Sequence, residues 1–281
     1  MTMKITINKQ DFDDAILVAT SSNPEVFNLV KPHFSATYNR IKRNYLGDIG
    51  ANFFDKFDGF QPYLKKMVCL ETFISVVRHL DIVLTPAGFG VVSNGEVSPA
   101  STVRVENLIE QVKQTKFAAE EDMVSVLMDN AEGWGQTMQA KHCIPTLVWG
   151  YSDYMFEANL SKLSSQEWDN VRKNMRLADE ILRRRFSNEQ MDALLDKYRR
   201  GESYTEQEQK AVCLMKQYLV LYGNPSSFRP DDMKQTLDRI QLILDGDAET
   251  FSLYQNSSEY ESNHFKPYEN KKSAPAFLFN A

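Results

Sequence analysis

The chain has 281 residues, 42% apolar and 25% charged, with a net charge of −6. These are globular values, long enough for two ordinary domains or one large one, and the acidic balance argues against wholesale nucleic-acid or membrane binding. No apolar run approaches the roughly 20 residues needed to span a bilayer. Met1 to Gln10 lacks the apolar core of a signal peptide, and Cys69, Cys143 and Cys213 read as reduced cysteines of a cytosolic product.

In chain order, Met3, Ile5 and Ile7 alternate with polar residues and read as a short strand. Asn23-Pro24-Glu25 starts a helix, with Asn as cap and Pro in the first turn. Phe27, Val30, Phe34, Tyr38 and Ile41 keep helical spacing to Leu46, Pro32 kinks that helix or marks its true start, and Gly47 stops it. A short helix over 51–57 follows. Pro62 opens a long helix that buries Leu64, Val68, Phe73, Val76, Val77 and Leu80. Ile82 to Val92 then reads as a β-hairpin, with Pro86 presetting the turn and Gly88 supplying the positive φ of a bulged three-residue loop. Ser98-Pro99 caps a third long helix to about Asn130.

Residues 131–165 have another texture, with Gly133-Trp134-Gly135 and Ile144 to Trp149, too apolar for a flexible linker. Further helices are expected over Trp168–Phe186, Asn188–Arg199 and Glu206–Leu221, and from Pro230 with Met233, Leu237, Ile240 and Leu244 as its stripe. After Gly246 come Phe251, Tyr254, Tyr260, Phe265, Tyr268, Phe277 and Phe279, irregularly spaced and interrupted by Pro267 and Pro275. That pattern predicts an extended arm, able to lay side chains into a neighbour's pockets.

Sliding the sequence by 141 residues places Phe27 on Trp168, Arg43 on Arg184, Tyr45 on Phe186 and Asp55-Lys56 on Asp196-Lys197, without a gap. The expected fold is therefore mainly α: two related helical units, an internal duplication, with the β-hairpin in the first and an arm at the C-terminus. Its parts are 1–130 (unit 1, hairpin at 82–92), 131–165 (packed connector), 166–246 (unit 2) and 247–281 (aromatic arm).

The chain lacks the P-loop, G-x-G-x-x-G, H-E-x-x-H, C-x-x-C and G-x-S-x-G patterns, so no catalytic, cofactor or metal residue is assigned. Glu120-Glu121-Asp122 reads as a solvated helix face. The strongest charge feature is Arg172, Lys173, Arg176, Arg183, Arg184 and Arg185, with Arg172, Arg176 and Arg183 near one face. Pairing with Asp169, Asp179 and Glu180 is one reading; a contact for phosphates or an acidic partner is the other.

Leu84 to Val92, followed by Ser98-Pro99-Ala100-Ser101, resembles a family of uncharacterised proteins from phages and prophages of gut Bacteroidales. Tyr268 to Pro275, with Phe277 and Phe279, looks like that family's closing motif. The helix closing on Tyr45-Leu46-Gly47-Asp48, then a short helix, a long helix and a hairpin, is similar to siphophage head–tail connector proteins. The resemblance implies a non-enzymatic virion protein, made in the host cytoplasm and carried into the particle, that assembles with portal or tail components or into a homo-oligomeric ring. Phe277, Phe279, Tyr268, Phe265, Phe89, Arg172, Arg176 and Arg183 are the expected contacts, with no cofactor and no membrane. The alternative is a nucleic-acid-binding accessory protein using the Arg172–Arg185 face.

Overall fold

The computed structural model describes residues 5–16, 25–54, 57–80, 82–85, 88–91, 101–224 and 229–265. The chain is mainly helical. Residues 5–8 are not a strand: Ile5 and Ile7 are buried, and Asn8 forms a reciprocal capping box with Asp11 that starts α1 (Lys9–Ala15). The following helices are α2 (Glu25–Val30), α3 (Phe34–Ile41), α4 (Gly47–Phe54) and α5 (Gln61–Val76). Pro32 sits in a single 3-10 turn between α2 and α3, where its missing N–H breaks the α ladder. Phe12 of α1 meets Phe27, Phe34 and Phe73, a ring cluster that ties α1–α3 to α5.

The strands β1 (Ile82–Thr85) and β2 (Gly88–Val91) pair antiparallel, Thr85 opposite Gly88 and Ile82 opposite Val91. This corrects the expected loop. Gly88 is the first residue of β2, paired with Thr85, and not the last residue of the loop; Pro86 and Ala87 lie outside the described residues. The helices are the architecture, and this ladder is a minor element.

Next come α6 (Thr102–Asn130), α7 (Met138–Cys143), α8 (Tyr151–Glu157), α9 (Ser165–Phe186), α10 (Asn188–Arg199), α11 (Glu206–Gly223) and α12 (Pro230–Gly246). Capping boxes start α9, through Ser164 and Glu167, and α11, through Thr205 and Glu208. The helix α6 packs along α5 and also touches α8 and α9; α11 packs on α9 and α12. One hydrophobic core runs through all of this, from Phe12 to Tyr254.

The internal duplication is not supported. The helix expected over 24–46 is broken into α2, a 3-10 turn, α3 and a π turn, whereas α9 is continuous over Ser165–Phe186. Both segments then turn at a positive φ, at Gly47 and at Ser187, but the shared apolar spacing is what any two amphipathic helical regions show.

The arm needs a larger correction. Residues 247–263 contain α13 (Ser252–Gln255) and α14 (Ser258–Asn263). Phe251 and Tyr254 are fully buried, and Tyr254 meets Phe186 edge-on at 5.8 Å. Its N–H donates to Gln190 Oε1, and Asn263 Nδ2 donates to the Arg185 carbonyl. Residues 247–263 are therefore part of the body, and the chain beyond Phe265 lies outside the described residues.

Candidate functional site

The site lies where the helices before residue 131 meet those after 150, and it starts with a π turn. Residues 42–46 carry an i to i+5 hydrogen bond, Gly47 N–H to the Lys42 carbonyl, and Gly47 takes φ +59°. The extra residue turns three successive carbonyls outward, and the 134–143 stretch supplies a donor to each. Gln139 Nε2 donates to Arg43 (3.2 Å), the Cys143 thiol to Asn44 (3.9 Å) and Trp134 Nε1 to Tyr45 (2.8 Å). A π turn survives when tertiary contacts satisfy the groups its backbone leaves poorly bonded.

Behind the turn is a cavity of about 170 Å³. Its walls come from the π turn (Tyr45), α6 (Lys116, Phe117, Glu120, Glu121), the 142–151 stretch, and α9 (Trp168, Arg172, Arg176). Phe117, Tyr151 and Trp168 form an aromatic wall with centroids 5.5–6.4 Å apart. Burial, with the Glu120 charge and its hydrogen bond to the Tyr45 hydroxyl, pushes that hydroxyl far up. Burial and Glu120 also raise the Cys143 thiol, which favours its protonated form.

The acidic run of α6 is only partly a solvated face: Asp122 is exposed, whereas Glu120 and Glu121 are half-buried and engaged. Glu121 accepts the N–H groups of Ser152 (2.7 Å) and Asp153 (3.1 Å), closing the N-terminus of α8 from another helix. Three turns earlier, Glu110 does the same for α9. It accepts from the Ser165 N–H and hydroxyl, both at 2.6 Å. Burial would raise the Glu110 carboxyl, but the Ser165 bonds outweigh it and hold the group below its ordinary range. A carboxylate at a helix N-terminus satisfies orphan donors and meets the favourable end of the helix dipole. Gly150 leaves room for this: a Cβ there would run into the Glu121 carboxylate.

A second stitch is Arg199, which is buried. It donates from Nε (3.0 Å) and Nη2 (2.8 Å) to the Ile144 carbonyl and pairs with Asp196 at 2.8 Å. Gly135 packs against the Arg199 carbonyl so closely that any Cβ would overlap it.

Three of the six residues of the basic set, Arg172, Arg183 and Arg185, are held in ion pairs. Arg183 sits between Asp179 (2.5 Å) and Asp192 (2.6 Å), and Arg185 pairs with Asp238. Arg172 pairs with Asp169 at 2.6 Å and lies over the Phe117 and Trp168 rings. Arg172 and Arg176 line the cavity together; Arg183 does not join them. Phe89 lies in β2, and Phe265 is 76% exposed after α14. Tyr268, Phe277, Phe279 and Pro86 lie outside the described residues. Sequence reasoning missed the cavity because its walls come from four separated stretches. The Trp134, Gln139 and Cys143 donors carry no local signal for the carbonyls they reach.

Among the described residues, no group of three His, Cys, Asp or Glu could hold a metal ion, and no helix is long and apolar enough to cross a membrane. No curated protein and no solved structure matches the chain. Residues 29–144 are similar to a family of unknown function (DUF6712), a span that takes in the π turn, α6 and the donors that clasp the turn.

Proposed function

We propose that the chain is a non-enzymatic phage or prophage virion protein, a head–tail connector-like adaptor that works by protein–protein assembly. The observation that carries the reading is an exposed apolar surface around the end of α12. Leu242 is 72% exposed, Leu253 47% and Phe265 76%. Polar contacts link their segments: Asp245, one turn after Leu242, takes the His264 ring at 3.1 Å, and Phe265 follows His264. Gln255, two residues after Leu253, donates to the Leu244 and Asp245 carbonyls. Exposed large apolar groups on these linked segments suit a surface that a neighbouring subunit covers. The sequence resemblance at Tyr45–Asp48 supports the same reading. The nucleic-acid alternative is weakened by the carboxylates paired to Arg172, Arg183 and Arg185.

The test is to co-express the chain with the portal and tail proteins of its genome and measure particle mass. The expected result is a stable complex or ring that a Leu242→Asp, Phe265→Asp double variant fails to form. A chain that stays monomeric and binds none of them overturns the proposal.

A further inference from the structure

The cavity at the seam has an unbalanced set of charges. Its two carboxylates are already engaged, Glu120 with the Tyr45 hydroxyl and Glu121 with the N-terminus of α8. Of its cations, Arg172 is held by Asp169 and spread over two rings. Lys116 of α6 and Arg176 of α9 also line it, and neither makes an ion pair within 4 Å among the described residues. Arg172 and Arg176 stand one helical turn apart, a like-charge spacing that costs a helix a few tenths of a kcal/mol. Two cations without an ion pair thus border a half-open cavity, Lys116 half-buried and Arg176 at its exposed rim, and the other wall is aromatic, Phe117, Tyr151 and Trp168.

We propose that this cavity binds a small organic anion, its charged end between Lys116 and Arg176 and its apolar body against Tyr151 and Trp168. The volume sets the size. About 170 Å³ is well below the roughly 300 Å³ at which drug-sized pockets begin. It suits a ligand of about ten non-hydrogen atoms, such as an aromatic or short-chain carboxylate. The cavity joins α6 to α9, so an occupant would tie together the two sides of the seam. This inference does not rest on the assembly reading: a connector and a protein of another class could both hold such a ligand.

The test titrates the full chain with benzoate, at constant ionic strength, by calorimetry and by tryptophan fluorescence, since Trp149 and Trp168 line the cavity. Benzamide supplies the same ring without the charge, and inorganic phosphate supplies charge without the ring. Saturable binding of benzoate is expected, at least tenfold tighter than either control. Arg176→Gln and Lys116→Met should each weaken it about tenfold, the size of one charge-assisted hydrogen bond. Lys234→Gln, a matched charge loss on the exposed face of α12, should leave it unchanged. The proposal is overturned if benzoate does not saturate, if benzamide or phosphate matches it, or if the two cavity variants bind like the parent.

Discussion

Replacing Phe251 by alanine separates two descriptions of the C-terminal region. If 247–281 were an extended arm, Phe251 would contribute nothing to the stability of the body. In the fold it is fully buried, and its N–H donates to the Asp247 carbonyl at 3.0 Å. Removing such a ring costs about 3–5 kcal/mol, from lost transfer free energy and the cavity left behind. Against a total stability of roughly 5–15 kcal/mol this is a large fraction. At roughly 2–4 °C per kcal/mol for a chain of this size class, the melting temperature should fall by about 6–20 °C. The assay is thermal unfolding followed by helical circular dichroism, with Phe265→Ala as companion. Phe265 is 76% exposed, so its loss should stay within about 0.5 kcal/mol. A Phe251→Ala melt within about 2 °C of the parent, equivalent to roughly 1 kcal/mol or less, would refute the assignment of 247–263 to the body.

Two further outcomes test the seam and the acid limb of stability. Glu121→Ala removes the acceptor that caps α8 and should cost about 0.5–2 kcal/mol, in the range of lost N-caps. Amide exchange should speed at Ser152 and Asp153 first; unchanged protection there would count against the capping role. Glu208 is buried beside Lys197 (2.7 Å) and closes the α11 capping box. Burial would raise its carboxyl, but the Lys197 and Thr205 contacts hold it below the usual range. A depressed folded value means the stabilisation is present above the unfolded value, near 4.3, and is lost as pH falls through the folded one. Glu208→Gln should therefore lower stability at pH 7 and flatten its decline between about pH 5 and 3. An acid limb as steep as the parent's would sink that assignment.

The one-sided helices were legible because their burial follows a simple period. Val171, Met175, Ala178 and Leu182 line the buried face of α9, and Asn188–Arg199 is bounded as its sequence suggests. The features that stayed hidden depend on partners far along the chain. Nothing near Arg43–Tyr45 announces that donors at 134, 139 and 143 will take their carbonyls, so a broken helix reads as a continuous one. Phe251 and Tyr254 are three residues apart, too short a run for a period to register, and Tyr254 packs on Phe186, 68 residues earlier. Glu121 looks like any residue of a solvated face until the start of α8 falls beside α6.

That placement also ties the matched span 29–144 to the helices beyond it. Its longest helix, α6, carries Glu110 and Glu121, whose partners at Ser165, Ser152 and Asp153 all lie beyond the match. A carboxylate partly removed from water needs donors to repay its desolvation, and here they come from helices outside the span. The reverse holds at Arg199, a buried cation whose acceptor is the carbonyl of Ile144, the last matched residue. Partly buried carboxylates on one side of the seam take donors from the other, buried Arg199 adds the Ile144 carbonyl to its Asp196 partner, and Gly135 and Gly150 carry no side chain where the two sides approach. Polar contacts across the seam therefore bind the two sides into one structure. The cavity, with Lys116 on one side and Arg176 on the other, exists only where they meet.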